Sequence, residues 1–316
     1  EIKKIKMNVN FFFVTTLILA TLITIYMHKP LLYDSKLYHL QGIEWIQNNR
    51  VVFGLTNINY RLGQVPLNWS VLPLLRVFNF ENNYYLFNII IFFLLFYFSY
   101  QSFKKKNKEN SDYFIISFFL LIFLKQLKYF DLWGIFNAIS SPETDVSSGI
   151  FLTLGTYFFI KNFENRTNIN LAVITSLFLF IAIAIKVTSF TAILIQALFF
   201  YYLFKENRKI FQKIIILIFS LYFLLMIKNF INSGCLFFPL NFTCLEPFWG
   251  IEINSPNDKY SLKNFLDDVM IYSQNTFSYK HIILKYFFIL SIIFLACFIL
   301  SINKNIYNIK RLNINI

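Results

Sequence analysis

The chain has 316 residues, of which 57% are hydrophobic and 21% aromatic, while only 14% are charged. A soluble domain carries roughly 25% charged residues, so this composition excludes an ordinary soluble protein and favours a helix bundle embedded in a bilayer. The net charge of +13 does not indicate nucleic-acid binding, because the Lys and Arg residues form short clusters between apolar runs, as in the loops of membrane proteins.

Eight apolar runs follow one another along the chain, each close to the roughly 20 residues that a spanning helix needs. They predict an all-α, polytopic bundle of about eight transmembrane helices, forming a single membrane-embedded domain over residues 1–316. Because the first residue is Glu1 rather than Met, the sequence is also compatible with a fragment of a longer chain. The runs are 9–27, 84–103, 112–127, 147–161, 169–186, 188–204, 210–231 and 281–302.

The orientation follows from the distribution of Lys and Arg, which concentrate on the cytoplasmic side of membrane proteins. With the N-terminus in the cytoplasm, 16 of the 29 Lys and Arg residues fall in short inner segments. Three longer outer segments remain, at about 28–83, 128–146 and 232–280. Long loops over rigid helices can build an active site, so we expect the chemistry at this outer face.

The first outer segment opens with Asp34 and Ser35, which are good N-cap residues for a helix. An apolar residue recurs every third position after them, which predicts a helix with its apolar stripe toward lipid or the bundle. The residues of that stripe are Leu37, Leu40, Ile43 and Ile46. Asp34 is therefore expected where the first span leaves the membrane, either as a plain cap or as a catalytic carboxylate.

The order of one span, an Asp and an interfacial helix resembles the GT-C superfamily of membrane glycosyltransferases. The resemblance is closest to a bacterial branch whose first loop reads like Tyr33-Asp34-Ser35-x-x-Tyr38-His39-Leu40, followed by stretches like Arg61-Leu62-Gly63 and Trp69-Ser70. It extends more loosely to about residue 250.

The resemblance implies an enzyme that takes a sugar from a polyprenyl-phosphate or polyprenyl-diphosphate carrier on the outer face. The first-loop Asp of that superfamily is commonly the catalytic base or a metal ligand, and the matching position is Asp34. No cofactor follows from the sequence itself. A divalent cation such as Mg²⁺ or Mn²⁺ would use Asp34 and Asp145 as its ligands.

The second outer segment carries a polar run, residues 140–148, that leads into the fourth apolar run. Thr144 or Asp145 could cap that helix, whose free N–H groups would then face an anion such as a carrier phosphate. GT-C enzymes often have a second acidic residue here. Asp145 is the first choice for this catalytic acid, Glu143 the second and Asp131 the third, with capping alone as the alternative.

Four further residues are candidates for substrate binding. Lys186 lies between two spans at the outer face, where it could bind a phosphate or only extend its ammonium group to the interface. Arg61 could hold a phosphate through two hydrogen bonds. His39 could bind substrate or Asp34, although a lone interfacial His is more often solvated, and Tyr38 suits the depth of the membrane interface.

Two cysteines, Cys235 and Cys244, lie in the last outer segment. They could form a disulfide in an oxidising compartment or remain two free thiols. Gly234 and Pro239 in the same segment are turn residues.

The sequence thus predicts a glycosyltransferase of the bacterial cytoplasmic membrane, which moves a sugar from a polyprenyl-phosphate donor to a cell-envelope acceptor on the periplasmic face. Its expected partners are this lipid-linked sugar and the bilayer, and not nucleic acid. One alternative is a protein like the O-antigen polymerases or ligases. Another is a lipid or solute transporter without enzymatic activity.

Overall fold

The computed structural model is mostly helical in the residues that it describes, and no named β-strand occurs among them. The described residues are 39–49, 51–57, 62–63, 65–75, 86–129, 142, 144–165, 168–186, 189, 191–238, 243–245 and 249. They form a short 3₁₀ turn, Leu55–Asn57, and the helices α1 (Leu40–Asn48), α2 (Leu67–Leu75), α3 (Leu86–Lys104), α4 (Asn110–Tyr129), α5 (Thr144–Glu164), α6 (Ile169–Ile185), α7 (Thr191–Glu206) and α8 (Arg208–Ser233).

The six apolar runs that fall among the described residues correspond to the helices α3 to α8. The apolar runs 112–127 and 147–161 have only 16 and 15 residues. Their helices are longer, at 20 residues for α4 and 21 for α5, because polar residues at both ends continue the helical backbone beyond the apolar stretch. The runs 9–27 and 281–302 lie outside the described residues.

Two described helices are long and apolar enough to cross a bilayer: residues Phe87–Lys104 of α3, and α8. Only 28% and 11% of these stretches is buried inside the protein, so their apolar side chains face outward rather than into a core. On α8, Ile216, Phe219 and Leu224 are all largely exposed. A continuous exposed apolar face of this kind is typical of contact with lipid or with another protein. The helix α6 is apolar but shorter.

The bundle is organised around α5, which packs against α3, α4, α6 and α7. Thirteen of its residues are buried, and the hydrophobic core joins them to Leu95 of α3, Ile115 of α4 and Leu179 of α6. The closest approach is at Gly155, where the absence of a side chain lets α5 lie directly on Leu179. Small residues commonly permit such close packing between membrane helices.

Replacing Gly155 by Ala is expected to destabilise the bundle by about 1–3 kcal/mol, because the interior is overpacked. The new Cβ would lie 2.7 Å from Cδ2 and 3.2 Å from the backbone nitrogen of Leu179, a residue that is fully buried. Gly149 in the same helix is a matched control, since a Cβ there meets nothing within 4 Å. Thermal unfolding in detergent should show a lower Tm for Gly155→Ala and an unchanged or higher one for Gly149→Ala; equal shifts would contradict the packing at Gly155.

The bundle has two chemically different ends. At one end, the last turns of α3, α5 and α7 carry Lys104, Lys161 and Lys205, and we call this the basic end. At the other end, α5 begins and α6 and α8 finish, and the first outer segment with α1 and α2 packs there. We call this the cap end. It is the end at which the predicted site residues His39, Asp145 and Lys186 lie.

Candidate functional site

The first outer segment folds into a small apolar core of its own at the cap end. The core consists of Ile43, Leu55, Leu62, Val65 and Trp69, all buried. Because Ile43 is a buried residue of α1, the apolar stripe of this helix faces the core. The centre of the core is Trp69, which is 1% exposed and whose Nε1–H donates a hydrogen bond of 3.2 Å to the carbonyl oxygen of Pro142. This contact ties the first outer segment to the one that precedes α5.

His39 lies against the same tryptophan, with the two ring centroids 5.0 Å apart. The imidazole is 3% exposed, so the expectation of a solvated interfacial histidine is wrong. Burial follows from the position of His39 at the start of α1, where the side chain is covered by Trp69. Within the described residues it is therefore a part of the cap interior rather than a surface group.

The first outer segment is also fastened to the end of α8. The backbone N–H of Gly54 donates to the carbonyl of Ile231 at 3.1 Å, and the hydroxyl of Thr56 donates to the carbonyl of Asn232 at 3.0 Å. The last carbonyls of a helix have no partner within the helix, so these bonds satisfy groups that would otherwise be buried unpaired. One more bond comes from Lys228, whose Nζ donates to the carbonyl of Val65.

The last outer segment turns sharply after α8 and is closed by a disulfide. Gly234 ends the helix in the left-handed region, with φ at 77°, as the sequence predicted for a turn residue. Cys235 and Cys244 are joined, which decides between the two alternatives that the sequence left open. Beyond them, the carbonyl of Trp249 accepts a 2.8 Å hydrogen bond from the side chain of Asn57. The first and last outer segments are thus connected as well.

A second group of polar side chains lies where α5 begins and α6 ends, and we call it the outer polar cluster: Asp145, Ser148, Lys186 and Ser189. The ammonium group of Lys186 donates to Oδ1 of Asp145. Ser148 donates to the carbonyl of Ala182 at 2.9 Å and shares a further hydrogen bond with Ser189. The cluster is therefore built on two helices whose ends are fixed relative to each other.

The ion pair in this cluster is solvent-accessible, since the side chain of Asp145 is 64% exposed and that of Lys186 is 32% exposed. Exposed pairs of this type contribute only about 0–1 kcal/mol. An incoming anion with stronger hydrogen-bonding geometry could therefore displace the carboxylate from the lysine. The sequence had suggested Thr144 or Asp145 as the N-terminal cap of α5. Instead, α5 already begins at Thr144, and Asp145 lies in its first turn.

Of the predicted site residues, the structure brings Asp145 and Lys186 into direct contact and places His39 inside the cap. Asp34, Tyr38, Arg61, Glu143 and Asp131 lie outside the described residues. Within the described part of the chain, no group of three His, Cys, Asp or Glu side chains could hold a metal ion. Of the two predicted metal ligands, Asp145 is among the described residues and is paired with Lys186, whereas Asp34 lies outside them.

Two residues that connect separate segments at the cap end were not predicted from the sequence. Trp69 was quoted only as part of a motif, although its position in the cap core links two outer segments. Lys228 stands inside the apolar run 210–231, and a charged residue near the end of a spanning run is itself a signal of function. That signal could have been noticed without the structure.

Comparison with known proteins identifies a family to which the chain is similar. The model of a protein family described as "Domain of unknown function (DUF8201)" matches residues 1–314, nearly the whole chain. No curated protein and no solved structure matches the chain.

Proposed function

We propose that this chain, which belongs to the DUF8201 family, is a membrane glycosyltransferase of the GT-C type. It would move a sugar from a polyprenyl-phosphate donor to a hydroxyl of a cell-envelope acceptor. We further propose about eight spans in the bacterial cytoplasmic membrane, with the basic end in the cytoplasm and the cap end on the periplasmic face. The disulfide at the cap end supports this orientation, because disulfides persist in oxidising compartments such as the periplasm.

The observation that carries the proposal is the contact between Lys186 and Asp145 at the cap end. The acid lies in the first turn of α5 and the cation at the C-terminal cap of α6, so both are at the same end of the hairpin and are accessible together. The hydrogen bond from Trp69 to Pro142 connects this cluster to the first outer segment, to which Asp34 belongs. Asp34 and His39 are only five positions apart, and a chain of that length spans at most about 18 Å.

In the proposed reaction, the acceptor hydroxyl oxygen attacks the anomeric carbon of the donor sugar and forms the new C–O bond. The bond from that carbon to the carrier phosphate breaks, and the phosphate leaves with the electron pair. Asp34 takes the hydroxyl proton as general base. Lys186, and Arg61 as a second cation, offset the charge that grows on the leaving phosphate. A single in-line displacement of this kind inverts the configuration at the anomeric carbon.

Mass spectrometry of cell-envelope glycans tests the proposal in a bacterium whose gene for this chain is deleted. Deletion is expected to remove a sugar from a glycan, with the unmodified acceptor accumulating, and the wild-type chain should restore it. An unchanged glycan profile would contradict the proposed function. Retained glycans together with a lost solute uptake would favour the transporter alternative instead.

Lys186→Met is expected to reduce restoration by about 10-fold to 100-fold, because a stabilising charge of the transition state is lost. Lys186→Arg should restore most of the transfer, since it keeps the charge. Lys205→Met is the matched control, an exposed lysine at the basic end of α7. If Lys186→Met restored the glycan as well as Lys205→Met does, Lys186 would have no part in phosphate binding.

A further inference from the structure

Among the described residues, the ammonium group of a second lysine at the cap end, Lys228, is incompletely satisfied. This half-buried side chain donates one hydrogen bond, to the carbonyl of Val65. An ammonium group has three donors, and a neutral carbonyl does not compensate its charge. Among the described residues no carboxylate contacts it. A cation near the hydrocarbon of a membrane is costly unless an anion accompanies it, so its presence there points to a ligand.

Asn232 adds a second donor on the same side of α8. It lies four residues after Lys228, which is one helical turn. Its side chain is 6% exposed, and within the described part of the chain its Nδ2 has no hydrogen-bond partner. A buried amide donor beside an ammonium group suits an anion with several acceptor oxygens, such as a phosphate.

The surface of α8 below these two residues suits the tail of a lipid. Phe219, Ser220, Phe223 and Leu224 line an open recess of about 420 Å³, and Leu224 lies one turn before Lys228. The lining is almost wholly apolar and faces away from the core. A polar end under the cap and an apolar recess next to it along one helix match an amphiphile with a phosphate head and a hydrocarbon chain.

We infer that Lys228 and Asn232 form a phosphate subsite for the lipid carrier, whose prenyl chain lies along α8 toward Leu224. This inference rests on the proposed function and adds Lys228 and Asn232 to the groups that bind the phosphate of its donor. Lys228 also holds the Val65 carbonyl, so the phosphate would be bound directly beneath the first outer segment. A neutral polyprenol would share the recess but gain nothing from the lysine.

The test compares binding of a polyprenyl phosphate with binding of the matching neutral polyprenol, measured by native mass spectrometry of the detergent-solubilised full chain. Lys228→Met is expected to weaken phosphate binding at least roughly 30-fold, because a charged partner in a buried site is lost. Polyprenol binding should change less than about threefold, since the alcohol has no charge to pair. Lys228→Arg should retain the preference for the phosphate.

Lys213→Met is the matched control, because Lys213 is an exposed lysine on the same helix near the basic end. Equal loss of phosphate and polyprenol binding in Lys228→Met would show that the lysine only holds the Val65 carbonyl, and would overturn the inference. Competition by inorganic phosphate or phosphatidylglycerol as strong as that by the polyprenyl phosphate would overturn the assignment to a lipid carrier.

The failure of this inference is distinguishable from a failure of the proposed function. One outcome is that the wild-type chain transfers sugar and prefers polyprenyl phosphate over polyprenol, and that Lys228→Met keeps this preference. The assignment of the subsite is then wrong, and the proposed glycosyltransferase function stands. If the deletion strain has unchanged glycans while the wild-type chain binds the polyprenyl phosphate through Lys228, the subsite stands and the reaction is wrong.

Discussion

Asp34→Asn is expected to lower sugar transfer by a factor of about 10²–10⁴, the usual contribution of a general base. Asn has nearly the shape of Asp but cannot accept the proton of the acceptor hydroxyl, so binding of both substrates should persist while the chemical step is lost. In the deletion strain, the variant chain should insert in the membrane at wild-type levels and leave the glycan unmodified. A time course of glycan formation after induction measures the residual rate.

The matched control for this prediction is Glu44→Gln. Glu44 is an exposed carboxylate on α1, in the same outer segment as Asp34, and the substitution removes one negative charge in the same way. We expect it to transfer sugar at close to the wild-type rate. Wild-type activity of Asp34→Asn would remove the proposed base. A comparable loss in both variants would mean that the charge of the segment matters, and not the proton acceptor.

Trp69→Ala is expected to destabilise the protein by about 3–5 kcal/mol, the cost of deleting a large buried aromatic side chain. Trp69 is the largest side chain of the cap core and also supplies the hydrogen bond to Pro142. Gly42 lies directly against the indole ring, since a Cβ added there would come within 2.6 Å of it, and Leu62 belongs to the same buried core. Thermal unfolding of the purified chain in nanodiscs should show the loss as a lower Tm.

Trp45→Ala is the control, because Trp45 lies on α1 of the same segment but is 38% exposed. Its removal leaves no closed cavity and should cost far less, within about 1 kcal/mol. Trp69→Phe should be intermediate, since it keeps most of the apolar volume but lacks the N–H donor. If Trp45→Ala and Trp69→Ala lowered the Tm equally, the cap core would not be an independent source of stability.

A comparison of Asp34→Asn with Trp69→Ala also separates an effect on the reaction from an effect on the fold. The first outer segment connects to the segment before α5 through Trp69, to α8 through Gly54 and Thr56, and to the last outer segment through Asn57. Asp34 belongs to this segment, so loosening it should misplace the base. We therefore expect Trp69→Ala to lose both stability and transfer, whereas Asp34→Asn loses transfer alone.

The sequence by itself determined the positions of six helices with errors of only a few residues. Apolar runs long enough to span a bilayer have few alternatives to the helix, because every backbone polar group must be paired inside hydrocarbon. The sequence also singled out Lys186, as a cation between two apolar runs, and, through the family resemblance, Asp145. The ends of the helices were less well predicted, because polar residues such as Thr144 can either cap a helix or begin it.

Only the tertiary structure decided which of these residues meet. Asp145 and Lys186 are 41 positions apart and contact each other because α5 and α6 form an antiparallel hairpin with its ends in register. His39 and Trp69 could not be identified as a buried pair, because solvent exposure depends on how separate segments pack. The same holds for Lys228, whose contact with Val65 spans 163 positions of sequence. The local sequence pattern shows which residues are polar. Their contact partners depend on the packing between elements that are far apart in the chain.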